Sequence, residues 1–263
     1  MNGVIAPPEA ATIPVTDEGL LRGDGAFEGL RLYGGRPFAL EDHLRRLDAS
    51  AAGLHLPVDT GALRAELDAL LAAAEPVGDA LLRIVVTRGG QRIVLVEPLR
   101  VLPPVARVAT IPFEPGHVLD GLKTLSYAAN MLAGRLARER GGDEGLLVTA
   151  AGQVLEGTNW SLFWVRDGRL LTPPLGGGIL ASITRARILE ECDVDERPCS
   201  LDDLAAAEEA FIASTLREVM PIGSLDGVAF PAAPGPVTRE ARARFRRRVE
   251  RECGAGAGRT VAA

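Results

Sequence analysis

Apolar and polar residues alternate loosely from Ala26 to Tyr33, and Tyr33-Gly34-Gly35-Arg36-Pro37 then supplies turn chemistry ahead of Phe38. That pattern predicts a β-hairpin. From Glu41 onward the period lengthens: Leu44, Leu47, Ala51 and Leu54 share one face at helical spacing, and a second helix is predicted from Thr60 to Ala74. β-rich runs at Leu81 to Thr87 and Ile93 to Glu97 are parted by Arg88-Gly89-Gly90-Gln91-Arg92. Residues 1–103 are therefore expected to form a small α/β domain.

Pro103, Pro104, Pro112 and Pro115 punctuate the next stretch, so residues 104–117 are expected to link the small domain to a larger one over 118–253. The larger domain opens with a helix predicted from Ser126 to Arg140, closed by Gly141-Gly142. Strands follow at Leu146 to Thr149, Gln153 to Gly157, Ser161 to Arg166 and Arg169 to Thr172, and the turn pairs Ala151-Gly152 and Asp167-Gly168 between them read as an antiparallel meander. Beyond Pro173-Pro174 the pattern gives helices at Ala186 to Cys192, Leu201 to Ala207 and Thr238 to Glu250, with strands at Glu209 to Ala213 and Val219 to Ser224. Residues 254–263 are expected to be disordered. The fold class is thus α/β in the α+β sense, with two domains.

Composition narrows the partners. Hydrophobic residues make up 47% and charged residues 24%, and a net charge of -6 with a pI of 5.3 speaks against nucleic acid or an anionic membrane. No apolar run is long enough to span a bilayer, and the start lacks a basic n-region and an apolar h-region, so a cytoplasmic location is expected. Three cysteines without CxxC spacing and three scattered histidines argue against a disulfide framework and against any metal site. Neither HExxH nor GxSxG occurs, and the arginine run in the last helix reads as a solvated face.

Among 29 basic residues there is one lysine, Lys123, where about a dozen would be ordinary for this length. Arginine stays protonated, whereas a desolvated lysine can lose its proton and attack a carbonyl. Gly176-Gly177-Gly178 precedes Ser182-Ile183-Thr184-Arg185, which fits an anion cradle at a helix N-terminus and equally an ordinary loop with Ser182 or Thr184 as N-cap. A reactive lysine together with a phosphate site suggests pyridoxal 5'-phosphate (PLP), which also needs a carboxylate for its ring nitrogen and an arginine for its phosphate.

Lys123-Thr124-Leu125-Ser126-Tyr127, then Val154-Leu155-Glu156-Gly157-Thr158 and Leu162-Phe163, resemble the core of the class IV aminotransferases, the fold-type IV PLP enzymes. Arg22-Gly23-Asp24-Gly25-Ala26-Phe27-Glu28-Gly29, His43-Leu44-Arg45-Arg46-Leu47, Thr172-Pro173, Ser182-Ile183-Thr184-Arg185 and Ser214-Thr215 extend the likeness in the right order. The resemblance implies that Lys123 carries the cofactor as a Schiff base and shuttles the proton. It implies that Glu156 holds the ring-nitrogen proton, that Arg46, Ile183, Thr184 and Thr215 bind phosphate, and that Tyr127 donates toward the phenolic oxygen or the imine nitrogen. A homodimer is implied as well.

Ser126, Ser161 and Ser182 stand where relatives commonly have Asn, Asn and Gly, and Arg22 replaces an aromatic or aliphatic residue. Substrate contacts are expected from Arg22, Phe27, Arg31 and Arg88, with Arg22 and Arg88 sharing the carboxylate because the usual downstream Arg-x-His is missing. Transamination between an amino acid and a 2-oxo acid is the expected reaction, with D-amino acids ahead of branched-chain L-amino acids as donors. Cleavage of 4-amino-4-deoxychorismate to pyruvate and 4-aminobenzoate is the alternative, and a non-catalytic binding protein the remote one. A PLP-free Schiff-base aldolase is disfavoured because the strand pattern lacks βα alternation.

Overall fold

The structure, a computed structural model, describes residues 1–73 and 78–254. Two units emerge, one of Met1–Arg100 with Leu122–Tyr127 and the residues from Val249 on, the other of Val101–Gly121 with Ala128–Arg248.

The first unit begins its regular structure at α1 (Glu18–Arg22), whose Asp17 N-cap accepts the Gly19 N–H. The chain leaves α1 through Gly23 at φ 71°, a left-handed conformation natural to glycine, and enters β1 (Gly25–Tyr33). After β2 (Arg36–Pro37) come α2 (Leu40–Gly53), α3 (Thr60–Ala73), β3 (Ala80–Thr87) and β4 (Arg92–Pro98). The strands form an antiparallel sheet in the order β2-β1-β3-β4. Ala26, Leu30 and Leu32 of β1 join Leu82, Ile84 and Val86 of β3 on one face, where Leu47 and Ala51 of α2 and Leu63 and Leu67 of α3 complete the core. Ala74, the expected last residue of α3, lies outside the described residues.

The second unit contains β5 (Ala106–Pro112), α4 (Ala128–Glu139), β6 (Glu144–Val148), β7 (Gln153–Gly157), β8 (Ser161–Arg166) and β9 (Arg169–Thr172). It continues with α5 (Ile183–Glu191), β10 (Val194–Glu196), β11 (Cys199–Ser200), α6 (Leu201–Ala205), β12 (Glu209–Ser214), β13 (Glu218–Leu225), β14 (Val228–Ala229) and α7 (Pro236–Cys253), whose residues from Val249 on belong to the first unit. Its sheet runs β10-β9-β8-β12-β13-β5-β6-β7-β11, with β14 paired to β13. Leu162 and Trp164 of β8 pack with Ile212, Ile222, Val108 and Leu146 in one core, while Ala133 and Ala137 of α4 cover Ala109, Ile111 and Leu147 in another.

Three expectations need correcting. Residues 104–117 do not form a linker, because β5 pairs in parallel with both β6 and β13 in the interior of the sheet. The prolines that suggested punctuation flank this strand or end it. The expected meander divides into two hairpins, β6-β7 and β8-β9; β5 and the β12-β13 hairpin lie between them in the sheet order. Ser126 and Tyr127 precede α4 instead of starting it, because Leu125 donates its N–H to Gly25 and Thr124 bridges Ala26. Of the expected disordered tail, residues 255–263 lie outside the described residues.

Candidate active site

Lys123 is fixed on both sides of its backbone. Its N–H donates to Ser50 Oγ at 3.0 Å, and its carbonyl accepts the Phe27 N–H at 3.3 Å. The side chain places Nζ 4.2 Å from the centre of the Phe27 ring and 5.7 Å from that of Tyr127. Phe27 and Tyr127 meet edge to face, 5.4 Å apart at 83°. The first unit therefore brings together the amine, Phe27 and Tyr127. A ring face attracts the ammonium and removes water from one side of it.

Beneath β1 lies a charged cluster that strand alternation would assign to the core. Glu28 sits between Ala26 and Leu30 on the apolar face, fully buried, and grips Arg46 side-on: Nε donates to Oε1 at 2.6 Å and Nη2 to Oε2 at 2.8 Å. His43 Nδ1 lies 2.7 Å from Oε2, so the proton sits on Nδ1 and His43 is the donor. Burial pushes the Glu28 carboxyl up, but the hydrogen bonds and charges of Arg46 and His43 outweigh it and hold it at about 2. Burial drives His43 below its ordinary value, partly opposed by the Glu28 hydrogen bond, so the imidazole is neutral at pH 7. Arg46, the expected phosphate ligand, is thus clamped from behind.

The other arginines divide differently. Arg88 Nε donates to Asp24 at 2.9 Å, Nη2 reaches Asp24 and the Leu54 carbonyl, and Nη1 reaches the His55 carbonyl at 2.7 Å. Most of its donors are committed to holding the Gly23-Asp24-Gly25 turn against the end of α2. Arg31 is buried, pairs with Asp79 at 2.7 Å and stacks on Tyr33; β1 carries it two side-chain repeats beyond Phe27. Arg22 pairs with Glu18, one turn away on α1, and its side chain is 67% exposed. An exposed helical pair of this kind is weak, so Arg22 can change partners at little cost.

In the second unit Glu156, on β7, accepts the Leu180 N–H at 3.1 Å. Ile183 and Thr184 are buried at the first two positions of α5, where helix geometry gives their N–H groups no intrahelical acceptor. Ser182 is the N-cap and accepts the Arg185 N–H, as that helix start required. Thr215 lies in the loop between β12 and β13, which Arg217 ties down through Glu144 (Nε at 2.9 Å), Asn159 at 3.0 Å and Ser214 at 3.5 Å.

Glu28, Ser50 and Arg217 were not read as site residues from sequence. Only Glu28 left a signal, as an acid in the apolar repeat Ala26, Glu28, Leu30, Leu32. Among the described residues no cluster could hold a metal ion, and no helix is long and apolar enough to cross a membrane.

The chain belongs to the class IV aminotransferases. The family model described as Amino-transferase class IV matches residues 25–225. A Methanocaldococcus jannaschii protein, provisionally described as a branched-chain-amino-acid aminotransferase, is 34% identical over 274 residues and 94% of both chains. The D-alanine aminotransferase of Listeria innocua is 33% identical over 285 residues, covering 97% of this chain and 96% of the relative. Among solved structures, a fold IV-transaminase of Curtobacterium pusillum superposes with a TM-score of 0.83 at 31% identity, covering 95% of this chain and 92% of that one. The PLP-bound form of a hypothetical aminotransferase from Mycobacterium tuberculosis gives 0.81 at 26% identity, over 93% of this chain and 95% of that one.

Proposed function

We propose that this protein is a cytoplasmic, homodimeric, PLP-dependent transaminase that takes its amino group preferentially from D-amino acids and passes it to a 2-oxo acid. The residues present fit the cofactor: an amine, a carboxylate, an arginine fork and helix-start N–H groups are its four requirements. When bound, PLP supplies an aldehyde and an electron-withdrawing ring that lowers the cost of removing an α-proton. Lys123 Nζ would take that α-proton and hand it back, with Phe27 and Tyr127 shielding the nitrogen from water. The Glu156 carboxylate keeps the ring nitrogen protonated, while Arg46, Ile183, Thr184 and Thr215 take the phosphate.

Arg22 is the arginine assigned to the substrate carboxylate, since its partner Glu18 holds it loosely. The observation that carries this reading is the position of the chain's one lysine, locked through its backbone with Nζ 4.2 Å above Phe27. Borohydride reduction with PLP followed by peptide mapping should place a pyridoxyl group on Lys123. A panel of D- and L-amino acids with 2-oxoglutarate and pyruvate should show turnover with D-donors first. Absence of the adduct refutes the cofactor assignment, and pyruvate release from 4-amino-4-deoxychorismate without amino transfer assigns the lyase instead.

A further inference from the structure

We propose that Glu28 is a positioning residue for the phosphate grip of Arg46, an inference that rests on the PLP reading above. Glu28 is wholly buried on the apolar face of β1, where an alkyl side chain would pack without any desolvation penalty. Replacing a buried ion pair by apolar residues is commonly neutral or stabilising, so stability alone does not explain this carboxylate. Its geometry does. Both carboxylate oxygens engage one edge of the guanidinium, Nε and Nη2, at 2.6 and 2.8 Å. A planar fork held along that edge has a fixed orientation, and so do the donors it offers elsewhere.

His43 completes the device. Its Nδ1–H, 2.7 Å from Oε2, stops the carboxylate from rotating away from Arg46, and the imidazole is itself buried at 2% exposure. Because His43 and Arg46 lie one turn apart on α2, a single helix presents both partners to one strand residue.

Two effects of Glu28 on a bound phosphate oppose each other. Its negative charge repels the anion, which would make Glu28→Gln bind PLP more tightly. Its grip on Arg46 orients the donor, which would make Glu28→Gln bind less tightly. The second prevails, since the charge of Glu28 is already paired with Arg46, whereas an unclamped guanidinium loses its fixed direction.

The test titrates metal-free apo-protein with PLP and, separately, with pyridoxal, which carries the same aldehyde but no phosphate; absorbance reports the adduct at Lys123. Glu28→Gln should weaken PLP at least about tenfold, the worth of one charge-assisted hydrogen bond, and leave pyridoxal within about twofold. In an Arg46→Ala background the same change should have no further effect on PLP. Arg46→Lys, which keeps the charge and loses the fork, should reproduce the loss and keeps the proposal testable if Glu28→Gln fails to fold. Equal weakening of both aldehydes, tighter PLP binding by Glu28→Gln, or a wild-type PLP preference in Arg46→Lys would each overturn the proposal. A wild-type protein that forms no Lys123 adduct with either aldehyde removes the cofactor reading and this inference with it; a normal wild-type adduct with an unaffected Glu28→Gln removes the inference alone.

Discussion

Truncating Arg217 to alanine should unfasten the loop that carries Thr215. Its guanidinium donates twice to Glu144 Oε1, once from Nε at 2.9 Å and once from Nη2, and Nη1 reaches Asn159 Oδ1 at 3.0 Å. The paired side chains are only 11% and 13% exposed. Removing one partner of a buried pair leaves the other charge desolvated, which costs 3–5 kcal/mol when burial is complete; the residual exposure here places Arg217→Ala at about 3 kcal/mol. Urea denaturation followed by the fluorescence of Trp160 and Trp164, both buried in the same unit, reads that loss. Combining Arg217→Met with Glu144→Leu should recover most of it, because no charge is then stranded. PLP affinity should stay low in the double variant, since neither apolar residue ties the loop to Asn159. A single variant within about 1 kcal/mol of wild type would refute the reasoning, for the pair would then be worth no more than a surface ion pair.

Gly157→Ala should cost about 3 kcal/mol or abolish folding in the same denaturation assay, because its Cβ would overlap the buried indole of Trp160. Arg22→Ala should raise KM for the amino donor about tenfold without lowering Tm, whereas Arg88→Ala should lower Tm by freeing Asp24 and the end of α2. Acid should also weaken the fold through Glu28. Its contribution is complete above the ordinary value of 4.5 and drains as pH falls toward about 2, since the unfolded chain takes the proton first. The gap is worth about 3 kcal/mol, and Glu28→Gln should lose that part of the dependence of unfolding free energy on pH.

The periods of the chain determined a good deal. Loose alternation gave β1, β-rich runs gave β3 and β4, a repeat near 3.6 gave α2 and α3, and the ordered motifs pointed to the family and to Lys123, Glu156 and Arg46. These features are local, set by how side chains alternate along one element and by which residue types a reaction demands. Tertiary structure decided the rest. β5 is bordered by prolines, so only its parallel partners β6 and β13 make it a central strand. Arg88 and Arg22 read alike as cations beside glycine-rich turns. Topology gave one of them Asp24 and two carbonyls 33 and 34 residues away in the chain, and gave the other a weak partner on its own helix. Glu28 was visible as an oddity in an apolar stripe, but its meaning waited on α2 crossing β1 with His43 and Arg46 in reach. A sequence records which charges exist. The fold chooses their partners, because an ion pair depends on distances across the chain that no local period encodes.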